Sequence, residues 1–191
     1  MRLLPLLALT GCLSGVNVPG SGGILITEAT NHNGTEEREA MRFIELTNVD
    51  RESVRLDNFA LVVDNEAAVP LDGFIDPGES WLLAVGTTEF DNAFIDIDTR
   101  IHPSFSANMT RVTLLFRDGE GTGGTPVSQA DGTLQDQLEV IDAPSSEWHA
   151  CRYRSIDETD GPFDATSWVI RDLFGDDTFN GFTPGEHSDC Q

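Results

Sequence analysis

The fold is constrained most by short apolar runs, from Ile24 onward, that alternate with polar residues and are separated by turn residues. In the segment 111–117, Val112, Leu114 and Phe116 fall on one face of an extended chain, and the residues between them fall on the other. No helical periodicity persists for more than two turns. The alternation is typical of antiparallel strands with one buried face, so the sequence predicts an all-β fold.

The candidate strands are short and have no regular repeat period. They are Ile24–Ala29, Arg42–Asn48, Phe59–Val63, Trp81–Val85, Arg111–Phe116, Leu138–Ile141, Cys151–Arg154 and Trp168–Ile170. This number of strands in one domain favours a two-sheet antiparallel β-sandwich over a propeller or a solenoid.

The charge of the chain is strongly one-sided. Its 191 residues include 33 Asp and Glu against 11 basic residues, all of them Arg, which gives a formal net charge of −22. Phosphate binding needs clustered cations, and the sequence contains no such cluster, so we expect no nucleic-acid partner. A hydrophobic content of 39% is nevertheless sufficient for one packed core.

The N-terminus has the form of an export signal, with one positive charge followed by an apolar run and small residues. The run is shorter than the roughly 20 residues that a membrane-spanning helix needs. The tetrapeptide Leu9-Thr10-Gly11-Cys12 resembles the lipobox of bacterial lipoproteins, in which the cysteine becomes the first residue of the mature protein and carries the acyl chains. This resemblance implies a signal peptide at residues 1–11 and lipid attachment at Cys12.

Residues 12–23 continue from this cysteine with small, nearly uncharged residues, which predict a flexible tether to the folded domain. Leu13 stands where an aspartate is associated with inner-membrane retention in enteric bacteria, so the lipoprotein resemblance implies delivery to the outer membrane or the cell surface. We therefore expect an exported protein that contacts the membrane through its lipid anchor alone.

The other two cysteines, Cys151 and Cys190, form an even pair in a chain that is predicted to enter an oxidising compartment. We expect them to form a disulfide, and the alternative is two buried thiols. A zinc site with His149 and His187 fits less well, because the closely spaced cysteine pairs of zinc motifs are missing.

Several segments together resemble the lamin tail domain. They are Ile26–Ala29, Arg42–Asn48, Val54–Leu61, Asp76–Val85 and Thr183–Gly185, and the most specific part is the Phe-Ile-Glu-Leu stretch at 43–46 with the Pro-Gly turn downstream. The resemblance implies an immunoglobulin-like β-sandwich over residues 24–191. It also implies a binding or scaffold module rather than a catalyst.

Glu28 and Glu45 each interrupt an otherwise apolar strand. Paired carboxylates of this kind serve acid/base chemistry or bind a cation when they lie within a few ångströms of one another. The alternative is that both lie on solvent-facing sides of their strands or accept hydrogen bonds from loop backbone, and the sequence favours this second interpretation.

Acidic loops raise calcium as a second kind of site. The weak candidates Asp172, Asp176, Asp177 and Asn180 lie in a loop-like stretch that offers side-chain and carbonyl oxygens together. The segment lacks the oxygen spacing of an EF-hand loop, so solvated surface charge is the default interpretation and no resident cofactor is predicted.

Motifs for nucleophilic or metal-dependent hydrolysis are missing from the sequence. The three tryptophans, Trp81, Trp148 and Trp168, are predicted to lie in the core, with a carbohydrate platform as the alternative. The sequence thus predicts a non-catalytic binding or scaffold module of the bacterial envelope, with a protein or glycan partner. The alternative is a calcium-dependent carbohydrate-binding accessory or a weak hydrolase built on the loops.

Overall fold

A computed structural model of the chain describes residues 23–31, 42–64, 66–84, 99–101, 109–117, 127, 132–140, 147–152 and 168–173. The regular structure in these segments is β-strand with one 3₁₀ turn at Leu56–Asn58. The strands are β1 (Ile24–Asn31), β2 (Phe43–Asn48), β3 (Val54–Arg55), β4 (Phe59–Val63), β5 (Val69–Pro70), β6 (Phe74–Ile75), β7 (Ser80–Ala84), β8 (Thr99–Ile101), β9 (Arg111–Phe116), β10 (Thr133–Glu139), β11 (Trp148–Arg152) and β12 (Trp168–Asp172).

The strands form two larger sheets and one small one. The six-stranded sheet has the order β12-β11-β1-β2-β7-β8, the four-stranded sheet has the order β10-β9-β4-β5, and β3 pairs with β6. All of these pairs are antiparallel except β7–β8, which is parallel. The predicted all-β, two-sheet sandwich is confirmed.

The main core lies between the two larger sheets and takes alternate residues from each. The inward-facing residues of β9, Val112, Leu114 and Phe116, are those that the sequence pattern predicts. Trp81 and Trp148 lie in the same core, as predicted, whereas Trp168 is only partly buried and packs against that core. Burial of such aromatic and aliphatic side chains supplies most of the free energy that holds the two sheets together.

The six-stranded sheet is covered on both faces at its centre. Every residue of β1, β2 and β11 is buried, although antiparallel sheets commonly leave one face to solvent. The four-stranded sheet is closer to that pattern, because Arg111 at the start of β9 is exposed and Thr113 is half-buried.

Two β-bulges face each other where β10 crosses β1. One lies between Ile26 and Glu28, and the other lies between Leu134 and Asp136. The Ile26 N–H donates to Asp136 Oδ2 at 2.8 Å, and Gln135 Nε2 donates to the Ile24 carbonyl at 3.2 Å. These bonds join the two sheets at one corner of the sandwich.

Strand β10 differs most from the sequence prediction, which began this strand at Leu138. The structure begins it at Thr133, because the polar residues Gln135 and Asp136 are fully buried at the bulge and bonded to β1. The short strands β3, β5, β6 and β8 were not predicted, since two or three residues are too few to show a period.

Residues 1–22 lie outside the described part of the chain, so the predicted signal peptide, Cys12 and nearly all of the tether remain predictions. In the described residues, no helix is long and apolar enough to cross a membrane.

Candidate functional site

The bulge in β1 decides where Glu28 points. Ile24 and Ile26 face the main core before the bulge, and Ala29 faces it afterwards. A regular strand would have kept Glu28 on the side of Ile26. The extra residue, Thr27, reverses the alternation and places Glu28 on the second face of the six-stranded sheet.

Glu28 therefore lies directly opposite Glu45 in the antiparallel β1–β2 register. The two residues are only 2% and 1% exposed. The structure thus brings together the two carboxylates that the sequence singled out. The interpretation that both face solvent was wrong, because the second face of this sheet is covered.

Glu28 binds a histidine from the neighbouring strand. The distance between Glu28 Oε1 and His149 Nε2 is 2.6 Å, and both side chains are almost fully buried. His149 lies two residues before Cys151, the register partner of Glu28 on β11. No sequence spacing linked these two residues, which are far apart along the chain and meet only through strand pairing.

Glu45 accepts a hydrogen bond from a hydroxyl group of the neighbouring strand β1. The Thr27 hydroxyl donates to the Glu45 carboxylate and lies 2.8 Å from the Thr47 hydroxyl. Thr47 Oγ1 in turn lies 2.7 Å from Ser80 Oγ at the half-buried start of β7. A continuous row of polar contacts therefore crosses β1, β2 and β7 on the second face.

A carboxylate beside an imidazole is a proton-transfer pair in chemical type. General acid/base catalysis, however, requires the group to come within hydrogen-bond distance of a reactant. Glu28, Glu45 and His149 are each almost entirely shielded by the rest of the fold. In this structure they form hydrogen bonds with other groups of the protein.

A second buried polar contact, between an arginine and an aspartate, joins the two sheets. Arg152 Nη2 lies 2.5 Å from Asp136 Oδ2, and Arg152 Nε donates to the Ile26 carbonyl at 2.8 Å. The Arg152 guanidinium also stacks on Trp168, with its central carbon 4.8 Å from the ring centroid. Asp136 and Arg152 together satisfy both backbone groups of Ile26 and so fix the bulge that orients Glu28.

The pKa of Asp136 is raised above its ordinary value because burial removes the carboxylate from water. Its Arg152 partner and the N–H groups of Ile26 and Gln137 act in the opposite direction, and burial outweighs them. Sequence reasoning missed both Asp136 and Arg152. The available signal was a charged residue next to an apolar strand, which is too common to single out two positions.

Cys151 is buried on β11 and takes part in a disulfide bond. The predicted partner, Cys190, lies outside the described residues. The pairing of Cys151 with Cys190 therefore stays a prediction.

The weak calcium candidates are divided between the described and undescribed parts of the chain. Asp172 was expected in a loop, but it is the last residue of β12, where its backbone pairs with that of Trp148. Asp176, Asp177 and Asn180 lie outside the described residues. Among the residues that the structure describes, no group of three or more His, Cys, Asp or Glu side chains is placed to hold a metal ion.

The small β3–β6 sheet carries the most exposed large apolar side chain among the described residues. Phe74 is 67% exposed, compared with 42% for Leu134 and 36% for Ile170. The Arg55 guanidinium lies over the Phe74 ring, 5.9 Å from its centroid. Sequence reasoning missed this residue, because a single Phe beside a glycine gives no sign of whether it is buried.

Comparisons of the chain with protein-family models, with curated proteins and with solved structures give no match. A functional assignment therefore depends on the residues and contacts of this chain.

Proposed function

We propose that the protein is a lipid-anchored, non-catalytic binding or scaffold module of the bacterial cell envelope. Cys12 carries the acyl anchor, residues 12–23 form the tether, and residues 24–191 form a lamin-tail-like β-sandwich. In this proposal the protein is exported to the outer membrane or the cell surface and meets its partner there.

One observation carries the non-catalytic part of the proposal. The described groups best suited to acid/base chemistry are Glu28, Glu45 and His149, and all three are at most 2% exposed. Glu28 binds His149, and Glu45 binds the Thr27 hydroxyl. Groups bonded in this way stabilise a scaffold and are not presented to a substrate.

A disulfide between Cys151 and Cys190 belongs to the same proposal. It is supported by the burial of Cys151 on a central strand and by its disulfide-bonded state. Structural disulfides persist in oxidising compartments such as the periplasm and the cell surface, which is where a bacterial lipoprotein resides.

The anchor can be tested by a chemical property of this chain. The sequence has no lysine, so the only primary amine that the protein can carry is at its N-terminus. We expect mass spectrometry of the membrane-extracted protein to find an acylated Cys12 as the first residue. An amine-reactive tag should then fail to detect Met1 at the terminus. The matched control is Cys12→Ala, which should leave the membrane fraction.

Three outcomes would overturn the proposal. An intact Met1 on membrane-extracted protein, or unchanged membrane retention of Cys12→Ala, would remove the lipid anchor. Turnover of an envelope glycan or peptide by the full chain would remove the non-catalytic claim, provided that Glu28→Gln abolishes this turnover while its circular dichroism spectrum stays native.

A further inference from the structure

An exposed aromatic side chain is unusual in the described part of this molecule, where nearly every other aromatic ring is buried or packed against the core. Phe74 is 67% exposed, although its neighbour Ile75 is buried in the main core. Aromatic and arginine side chains are the residue types most enriched at the centres of protein interfaces. Phe74 and Arg55 place one of each side by side on β6 and β3.

The backbone that presents Phe74 is held at several points. Arg55 pairs with Phe74 in the β3–β6 register, and the Leu56 N–H donates to the Gly73 carbonyl at 2.9 Å. The buried Asn48 donates its Nδ2 group to the carbonyls of Ile75 and Glu52, each at 2.8 Å. A partner that binds to Phe74 therefore needs to order little of this backbone, which lowers the cost of association.

The Phe74 ring has a cationic partner within the protein itself, Arg55. The Arg55 guanidinium lies over the Phe74 ring and forms an ion pair with Asp57. Attraction between a cation and the negative face of an aromatic ring is worth about 0.5–1 kcal/mol at exposed sites. The ring and a nearby carboxylate are the two elements that recognition of a basic side chain requires.

Carboxylates outnumber arginines in the two segments that carry Arg55 and Phe74, residues 50–57 and 72–76. Asp72 flanks Phe74 in sequence, Asp76 accepts a hydrogen bond from Ser53, and Glu52 is tied to Asn48 through its carbonyl. Asp72, Asp76 and Glu52 are all exposed. Together with the net charge of −22, they attract a cationic partner and repel an anionic one.

We propose that the Phe74 surface, made of Glu52, Arg55, Asp57, Asp72, Phe74 and Asp76, is a docking site for a basic segment of another envelope protein. An Arg or Lys of that segment stacks on the open face of Phe74 and pairs with the surrounding carboxylates. This proposal depends on the proposed binding function and names the chemistry of its partner.

The test uses the full acylated chain in non-ionic detergent and a fluorescent peptide of alternating Arg and Gly as the probe. We expect saturable one-to-one binding at physiological salt by fluorescence anisotropy. Phe74→Ala should weaken the binding about tenfold, as expected when a central aromatic anchor is lost. Phe74→Trp should tighten it, because Trp is the best aromatic partner for a cation.

Matched controls separate this site from general attraction to an acidic protein. Leu134→Ala removes an exposed apolar side chain from β10 in the four-stranded sheet, and Glu139→Gln removes an exposed charge from the same strand. Both should leave the affinity within about twofold. Asp72→Asn with Asp76→Asn should weaken binding and flatten its salt dependence.

Equal affinity of Phe74→Ala and Leu134→Ala for the peptide would overturn the docking site and leave only diffuse charge attraction. Binding of vesicles with anionic headgroups at Phe74, in preference to the peptide, would overturn it as well. Neither outcome affects the anchor test, because acylation of Cys12 is measured independently of the Phe74 surface.

Discussion

Strand β10 carries two carboxylates that each bind an arginine, in opposite surroundings. Asp136 binds Arg152 inside the sandwich, where the two side chains are 0% and 3% exposed. Glu139, three residues later, binds Arg111 at the surface, where the side chains are 37% and 45% exposed. The two pairs contain the same kinds of charged group, and they differ in burial and in the backbone groups that each pair binds.

The buried pair also binds backbone groups of β1. Asp136 accepts the Ile26 N–H and Arg152 donates to the Ile26 carbonyl, so the pair replaces backbone partners that the β1 bulge removes. The surface pair links only the side chains of adjacent strands β9 and β10. We infer that the interior pair determines local geometry, while the surface pair contributes little beyond solubility.

The largest effect is expected from Arg152→Ala. It leaves the Asp136 carboxylate buried without its cation and the Ile26 carbonyl without a donor, which should lower the free energy of unfolding by about 3–5 kcal/mol. Urea denaturation followed by circular dichroism measures this change. The double variant Arg152→Met with Asp136→Leu should recover part of the loss, because it removes the stranded charge. A loss below about 1 kcal/mol for Arg152→Ala would show that burial adds nothing to this pair.

Cys151 provides a second means of holding the same strand, since it precedes Arg152 on β11. A Cys151–Cys190 bridge closes a loop of about 40 residues, and its loss should cost about 4 kcal/mol in the chain-entropy model. Cys151→Ser measures this effect by thermal melting. The oxidised and reduced wild-type proteins provide the matched comparison. Cys190→Ser should behave like Cys151→Ser, and a native melting temperature for Cys190→Ser would reassign the partner of Cys151.

The hydroxyl row on the second face extends the comparison from ion pairs to neutral hydrogen bonds. Thr47→Val keeps the shape of the side chain but removes the hydroxyl that contacts Thr27 and Ser80. Leaving such buried partners unsatisfied should cost about 1–3 kcal/mol. The matched control is Thr113→Val, at a half-buried position on β9, which should change stability by less than about 0.5 kcal/mol. Equal effects in urea denaturation would contradict a structural role for the row.

The pH dependence of stability tests the buried carboxylate of β10, Asp136. The pKa of Asp136 in the folded protein is raised above the ordinary 3.8, so the folded state retains a proton that the unfolded state has released. Its contribution to stability is therefore present below pH 3.8 and is lost as the pH rises through the raised value. Asp136→Asn should remove this component from a plot of unfolding free energy against pH. Glu139→Gln is the control, and an identical change in its profile would contradict the assignment to Asp136.

The sequence predicted the regular strands well, for a physical reason that β4 and β9 illustrate. Phe59–Val63 and Arg111–Phe116 have the predicted bounds, because burial selects apolar residues at every second position of β9 and throughout β4. The first residues of β10 were not predicted as strand, because they are polar and are buried through specific contacts with β1. Such contacts depend on the paired strand and leave no local period.

The candidate site was predicted only in part for the same reason. Glu28 and Glu45 stood out as charged residues within apolar runs, and the structure places them side by side. Their burial, and the His149 partner, depend on the bulge at Thr27 and on the pairing of β1 with β11. A bulge shifts the alternation by one residue, and sequence periodicity alone does not reveal which residue is the extra one.

The smallest effect is expected from Arg111→Ala, which tests the surface half of the comparison. Exposed ion pairs contribute about 0–1 kcal/mol, because water screens the charges and ordering two long side chains costs entropy. The loss in urea denaturation should be within that range and should shrink further at high salt. Asp64 continues to bind the Thr110 and Arg111 backbone N–H groups in this variant, each at 2.9 Å, so the start of β9 stays in place. If Arg111→Ala lowered the free energy of unfolding nearly as much as Arg152→Ala, the backbone contacts of Ile26 would not be what distinguishes the two pairs. The stability of the sandwich corner would then have to come from its apolar packing.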